Sequence, residues 1–491
     1  MSEQAIEVGE LRHLIGGEWV TGSGADASSS NPAHPSTLVA TYRLADEAML
    51  DTSITCAVEA QQAWADLGLI ERGRILRNAA TLLEERGEAI AALMTAEEGK
   101  TLPESSGEVG ASVETLHYHA AQARSATGAT FASSHPDEWI RTVRVPIGVV
   151  GVITPWNFPV QIPVWKIAPA LLWGNAVQWK PASETPAVSV ALAEVFHDAG
   201  VPPGVLSLLL TPGSVGAKLV ADERVGAITF TGSVPVGRSI AATAVARGAK
   251  AQLELGGHNA AVVLPDICPA TIAEALTFGA MGSTGQKCTA TRRIIAVGSA
   301  YDGVVEAVSE SVTRLRVGDG AELGVSIGPL VSAAARDEVA AAFEQAIGEG
   351  ATIAASAASF DGHGHYFAPT VLTGDPSLSI CHDEVFGPIT TVLAAEDLDH
   401  AIELANSTSF GLTASVFGRE EASIRRCVME IDAGLVKANG PTTGSELHVP
   451  FGGLKDSTIP GPREQNAQSS ADFFTSTKSA YLRTAPPEIA S

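Results

Sequence analysis

Apolar side chains recur at helical spacing between about residues 70 and 98, where Ile75, Leu76, Ala79, Leu82, Leu83, Ile90, Leu93 and Met94 are interleaved with Arg and Glu. Three- and four-residue spacing gathers such positions on one face, so the stretch predicts a surface helix pair or one long helix. From Val145 the pattern changes. Short apolar runs at 148–153, 176–179 and 205–210 read as buried strands, and 164–172 and 186–199 between them read as helices. A helix at 217–221, a strand at 227–230, a helix opening after Gly232-Ser233 and a strand at 251–254 continue the series. This alternation predicts a parallel sheet with helices on both faces, as in dinucleotide-binding folds. Beyond Glu254 the segments 259–264, 293–297, 333–347, 370–372 and 401–404 repeat it, predicting a second α/β lobe and an active site in the cleft between lobes. Segments 138–145 and 473–482 read as extended and fit neither lobe, and the Ser/Ala/Gly-rich stretch 22–30 reads as a surface loop.

Length and charge narrow the picture. At 491 residues the chain exceeds one typical core, so two or three structural units are expected. The net charge of -24, with no Lys/Arg-rich run to track phosphates, argues against nucleic acid or an anionic membrane as partner. The most apolar region, 145–179, contains Lys166 and Pro146, Pro155, Pro159, Pro163 and Pro169, which break any spanning helix. Cys56, Cys268, Cys288, Cys381 and Cys427 are odd in number and scattered, without a CxxC pair, and no His cluster has metal-ligand spacing. No metal site and a reducing, cytoplasmic setting are expected. The opening Met1-Ser2-Glu3-Gln4 is polar and acidic, unlike a secretory signal.

Two segments carry the candidate chemistry. Glu254-Leu255-Gly256-Gly257 ends a strand-like run, and Gly285-Gln286-Lys287-Cys288-Thr289 puts a cysteine in a small-residue loop. Thiols attack carbonyls well and a carboxylate can serve as general base, so the pair reads as covalent catalysis. Taken singly, each has a plainer reading: a small buried hydrophobe for the cysteine, a strand entering a turn for Glu-Leu-Gly-Gly. Four further segments shift the balance: Thr154-Pro155-Trp156-Asn157-Phe158-Pro159, Lys180-Pro181-Ala182-Ser183, Phe230-Thr231-Gly232-Ser233 and Glu384-Val385-Phe386-Gly387-Pro388. In this order the six motifs resemble those of the aldehyde dehydrogenase family, and the resemblance runs from the helical region near Trp64 to Pro450-Phe451-Gly452-Gly453 and the tail.

The resemblance implies an α/β aldehyde dehydrogenase fold: a Rossmann-like cofactor domain from 1–125 and 146–255, a catalytic domain from 256–449, and a small β oligomerisation element from 126–145 and 465–491. A homodimer or homotetramer is expected. Cys288 would be the nucleophile, Asn157 and the Cys288 backbone N–H the oxyanion hole, and Glu254 the base that activates water to hydrolyse a thioester. No G-x-G-x-x-G follows the first strand; instead the resemblance puts the pyrophosphate at the helix after Gly232 and Ser233. Lys180 would meet the adenosine ribose, Glu384 the nicotinamide ribose with Phe386 beside it, and Thr154 and Trp156 complete the cofactor set. Ser183 stands where NAD-specific members often carry Glu, so NADP is the expected cofactor with NAD as the alternative, even though Glu184 follows.

Phe158, Gln161, Ile162, Trp165 and Phe451 are expected to line the substrate tunnel, apolar with one amide. The tail, including Leu454-Lys455-Asp456-Ser457, Gly461-Pro462-Arg463-Glu464-Gln465 and Phe473-Phe474-Thr475, resembles the 2-oxoglutarate semialdehyde (2,5-dioxopentanoate) dehydrogenase branch. A small semialdehyde is therefore expected, with succinate semialdehyde and aliphatic or aromatic aldehydes as alternatives. Arg292 and Arg293 are expected to pair with structural acids rather than clamp a substrate carboxylate, and Trp173 and Trp179 are bulkier than expected. Glu254 disfavours a coenzyme A acylating enzyme; the absence of a His partner motif among twelve His disfavours a thiol hydrolase. An inactive structural protein would have lost the nucleophile, the base or the ribose acid, and all three are present.

Overall fold

The computed structural model describes residues 9–360, 362–459 and 467–483. The opening Met1-Ser2-Glu3-Gln4 and the Gly461 to Gln465 motif lie outside the described residues. Two seven-stranded sheets organise the rest.

The first sheet runs Lys250–Glu254, Val225–Thr231, Val149–Ile153, Ala176–Lys180, Leu206–Leu208, His13–Ile15, Glu18–Val20. Its first five strands are parallel, as the alternation predicts. The last two join antiparallel, so the sheet is mixed rather than wholly parallel. This N-terminal hairpin caps the edge that the short Leu206–Leu208 strand leaves open. The second sheet runs Thr352–Ser356, Thr370–Thr373, Ile389–Ala395, Thr291–Val297, Asn259–Val263, Thr413–Phe417, Leu435–Ala438, parallel except for its outermost first strand. Val149–Ile153 and Asn259–Val263 are buried throughout because helices cover both faces, which is why they read as unbroken apolar runs.

The pair reading holds for 70–98: Leu69–Glu85 and Gly87–Glu98 are separate helices, parted at Arg86. Two expectations fail. Of the stretch 22–30 only 22–25 is loop, because Asp26–Asn31 is a strand paired with His34–Arg43, and Ser29 is buried with its hydroxyl donating to Glu97 at 2.5 Å. The partner strand and Glu97 supply what the small side chains lack. Likewise 473–482 is not one strand: Phe473 and Phe474 end the Ala467–Phe474 helix, and the strand is Thr475–Arg483. A strand sends successive side chains to opposite faces, whereas both rings are buried in the first lobe's core, 4.9 Å apart. Thr475–Arg483 then pairs with Glu138–Pro146, which also pairs with Thr130–Phe131, in a small antiparallel sheet.

Helix Leu102–Gln122 escaped periodicity because its buried face is largely polar, with Ser105, Glu108, Ser112 and Thr115 among Val109, Val113 and Leu116. It positions the site. Trp179 also gains a reason for its bulk: it is fully buried and its indole N–H donates to Thr154 Oγ1 at 2.9 Å.

Candidate active site

Glu254 is the last residue of the first sheet's edge strand and is 3 % exposed. Its backbone carbonyl accepts from Gly232 N–H at 3.1 Å, and Thr458 Oγ1 lies 3.5 Å from Oε2. The glycines that follow have a steric purpose. A Cβ on Gly256 would fall 2.1 Å from Glu384 Oε2, and one on Gly257 would fall 2.4 Å from the Cys288 carbonyl oxygen. Gly257 N–H donates to Glu384 Oε1 at 3.0 Å. Gly-Gly thus lets the Glu384 carboxylate and the cysteine loop close around the end of the Glu254 strand.

The cysteine loop is held from several sides. Ser283 and Thr284 adopt left-handed backbone at φ 50 and 56, a conformation that costs non-glycine residues about 1–3 kcal/mol each. Glu104 accepts from Ser283 N–H at 2.6 Å, and Thr284 Oγ1 donates to Gly328 O at 3.1 Å. Gly285, at φ +67, has no room for a side chain: a Cβ would sit 2.1 Å from Gly387 O. Asn259 Nδ2 donates to the carbonyls of Cys288 and Ala290, both at 2.8 Å. Asn157 reaches the loop from the other lobe, buried, with Nδ2 donating to Gln286 O at 2.9 Å.

The Asn157 segment is tied down by residues that sequence reasoning missed. Lys100 Nζ donates to Asn157 O at 2.5 Å and to Glu108 Oε2 at 2.8 Å, and lies 4.5 Å from the Phe158 ring centroid. Glu108 Oε1 accepts from the backbone N–H groups of Val160 and Gln161 at 2.8 and 3.0 Å. Only a charged residue buried beside a small-residue helix could have signalled this, and that signal is not specific.

Burial pushes the Cys288 thiol up to about 12, and the nearby Glu384 and Glu254 carboxylates add to the rise. Glu384 itself is raised by burial, against the pull of Arg292 and of Gly257 N–H. Lys166, fully buried, is brought down to about 7 by desolvation, with Glu254 opposing; its Nζ donates to Thr229 Oγ1 at 2.8 Å. Glu384→Gln removes the largest charge holding the thiol protonated, so more thiolate should be present at a given pH. Iodoacetamide should then alkylate Cys288 roughly three- to tenfold faster at pH 8, with its pH–rate curve moved to lower pH. An unmoved curve would disprove the coupling.

A cavity of about 560 Å³ opens beside this centre, lined by Thr154, Trp156, Lys180, Ser183, Gly232 and Ser233 among others. Helix Val234–Ala246 starts at its edge, and the Ser233 side chain caps no backbone N–H. Those N–H groups remain available to an anion, with the helix dipole reinforcing them. Lys180 Nζ donates to Pro181 O at 3.0 Å, and Gly216 leaves space for its stem, 3.1 Å from where a Cβ would stand. Ser183 is exposed and its hydroxyl donates to Glu184 Oε2 at 3.2 Å. Phe386 does not line this cavity but packs edge-on against Trp156, which does, at 5.7 Å and 89°. An anion-favouring helix start, a lysine, hydroxyls and an aromatic wall fit a dinucleotide. Among the described residues no group of three or more His, Cys, Asp or Glu could hold a metal.

Of the tunnel residues, Trp165 and Phe451 meet with ring centroids 5.6 Å apart, Ile162 is buried, and Phe158 and Gln161 are half-buried beside the Lys100–Glu108 pair. Among the described residues Arg292 and Arg293 form no ion pair with an acid. Their guanidinium groups donate to backbone carbonyls: Arg292 to Gly285, Lys287 and Gly387, Arg293 to His258, Leu404 and Ala405. Buried loop carbonyls need donors as much as buried acids do, and a guanidinium fork satisfies several together.

Fold and site together define an oxidoreductase with an NAD-binding fold and a half-buried thiol beside its nucleotide-sized cavity. The chain matches the aldehyde dehydrogenase family over residues 19–480 and belongs to it. It is 39% identical over 477 residues to an alpha-ketoglutarate semialdehyde dehydrogenase of Haloferax volcanii, covering 96% of this chain and 98% of that one. It is also 39% identical over 478 residues to an alpha-ketoglutaric semialdehyde dehydrogenase of Bacillus subtilis, with the same coverage. A crystal structure of betaine aldehyde dehydrogenase from Staphylococcus aureus in complex with NAD+ superposes with a TM-score of 0.92 at 30% identity, covering 97% of this chain and 95% of that one. The protein is an NAD(P)-dependent aldehyde-oxidising enzyme, and no helix among the described residues is long and apolar enough to cross a membrane.

Proposed function

We propose that the enzyme oxidises a small semialdehyde, 2-oxoglutarate semialdehyde foremost, to the free acid through a Cys288 thioester. The observation that carries the substrate reading is the 39% identity, over nearly the whole chain, to two relatives named for that substrate. In this reading Cys288 Sγ, as thiolate, bonds to the aldehyde carbon, and the carbonyl oxygen becomes an oxyanion. Asn157 Nδ2–H and the Cys288 backbone N–H stabilise that charge, a contribution worth about 10²–10³ in rate per donor. The C=O bond re-forms as the aldehyde hydrogen leaves with its electron pair, giving the thioester. A bound nicotinamide cofactor would supply the hydride acceptor and a positive charge that offsets part of the burial penalty on the thiolate. Glu254 then takes a proton from water; the hydroxide adds to the thioester carbon, the C–S bond breaks, and acid and thiolate are released. Lys180, Ser183, Gly232 and Ser233 hold the adenosine and phosphate portion, and Glu384 with Phe386 and Trp156 the nicotinamide end. Phe158, Gln161, Ile162, Trp165 and Phe451 shape the tunnel.

The same reading makes NADP the preferred cofactor and NAD a second acceptor. An exposed Ser183 carries no charge to repel a 2'-phosphate near Lys180, although Glu184 stays close. The test is initial rates of NADH and NADPH formation with 2-oxoglutarate semialdehyde, succinate semialdehyde, an aliphatic aldehyde and benzaldehyde. The first substrate with NADP should give the highest kcat/KM, and Ser183→Glu should raise the KM for NADP about 10- to 100-fold while sparing NAD. Preference for apolar aldehydes would overturn the substrate reading, and an indifferent Ser183→Glu the cofactor reading.

The small antiparallel sheet serves assembly into a homodimer or homotetramer, since it exposes Phe131, Trp139, Tyr481 and Leu482, each more than half exposed. A single-chain mass by light scattering would refute this. Five free cysteines fit a reducing, cytoplasmic setting.

A further inference from the structure

Five cations are buried around the thiol and the Asn157 segment: Lys100, Lys166, Lys287, Arg292 and Arg293. Four are committed. Lys100 bonds to Glu108 and Asn157 O, Lys166 to Thr229, and the two arginines to backbone carbonyls. Lys287, next to Cys288 and only 7 % exposed, has no hydrogen bond or ion pair from its ammonium among the described residues. The acid nearest to it in effect is Glu104, and both of that carboxylate's oxygens are taken, Oε1 by Ser283 and Oε2 by Thr101. The ammonium rests instead 4.8 Å from the centroid of the Phe278 ring, which is 54 % exposed. It stands 3.0 Å from where a Cβ of Gly282 would be, so the missing side chain at 282 leaves room for it. Burial lowers its pKa, with Glu104 opposing, and no carboxylate oxygen lies within ion-pair distance of it among the described residues.

We propose that Lys287 binds the distal carboxylate of an ω-oxo acid whose aldehyde end is held by Cys288. The inference rests on the semialdehyde reading and names the residue that enforces it. Reach agrees. Consecutive Cα atoms are about 3.8 Å apart, and a five-carbon oxo acid spans about 5 Å from aldehyde to carboxyl carbon at about 1.5 Å per C–C bond, a gap a lysine stem can cover. A carboxylate there gives the ammonium the charged partner the protein withholds, while a neutral aldehyde leaves it without one.

The test compares kcat/KM for 2-oxoglutarate semialdehyde and for pentanal, equal in carbon number, in the wild type and in Lys287→Met, Lys287→Gln and Lys287→Arg. The wild type should favour the semialdehyde. Met and Gln should lose about 10- to 100-fold on it, mostly through KM, with a far smaller change on pentanal, and Arg should keep most of the discrimination. If both substrates fall together, or the ratio is unchanged in Met and Gln, Lys287 is not the carboxylate partner. A variant that fails to fold is replaced in this comparison by the other two. A wild type that does not favour the semialdehyde would sink the substrate reading and this inference with it, whereas discrimination that survives without Lys287 would sink only the latter.

Discussion

Cys288→Ala should abolish aldehyde oxidation, by at least about 10⁴-fold in kcat/KM, because no later step can begin without the carbon–sulfur bond. The other four thiols offer no substitute. Cys381 and Cys427 are buried in the second lobe's core, Cys268 is exposed just after the Asn259–Val263 strand, and Cys56 lies in the Glu47–Asp66 helix. Cofactor binding should persist, because the residues lining the nucleotide cavity, Lys180, Ser183, Gly232 and Ser233, belong to the first lobe, and Cys288 is not among them. Removing one sulfur from a half-buried site should cost no more than about 1 kcal/mol of stability. The check is NADPH titration by fluorescence and thermal melting alongside the rate assay. Residual oxidation above about a hundredth of the wild-type rate would remove Cys288 as nucleophile.

Much of the candidate site was legible because it sits in contiguous motifs. Cys288, Glu254 and Asn157 are named by their neighbours, and the geometry explains those neighbours: Gly256 and Gly257 are glycines because Glu384 and the Cys288 carbonyl occupy the space a side chain would need. The parallel strands were legible because burial on both faces leaves an unbroken apolar run. What escaped is polar and long-range. Lys100, Glu104 and Glu108 sit on or just before a helix with too few apolar residues to show a stripe, yet they anchor the Asn157 segment and the strained Ser283–Thr284 turn. The backbone groups they hold lie 52 to 179 positions away in sequence, so no local window could pair them. Arg292 and Arg293 were misassigned for the same reason: charge invites an opposite charge, but the chain used them to satisfy carbonyls. Residues 26–30 read as loop because small-residue composition signals a turn unless a partner strand is known.

Glu254→Gln should separate the two halves of the reaction. Gln has nearly the size of Glu and can keep the contact with Thr458, so the strand end and the Gly232 bond need not move. Its loss of charge acts twice on the chemistry. One of the two carboxylates that raise the Cys288 thiol is gone, so acylation keeps at least its original supply of thiolate. The base that deprotonates water is gone as well, so the thioester should accumulate. Rapid mixing should therefore show a burst of reduced cofactor approaching one per active site, followed by steady turnover about 10²- to 10⁴-fold slower than wild type. Hydroxylamine needs no general base to attack a thioester, so adding it should restore turnover and yield the hydroxamate instead of the acid. The control lies in the pocket: Lys166 feels Glu254 and would titrate lower in the variant, and a change in the steady rate alone could come from either group. Hydroxylamine resolves this, since rescue locates the defect in water activation. Loss of the burst would mean that Glu254 also activates the thiol, and an undiminished steady rate would exclude it as the base for hydrolysis.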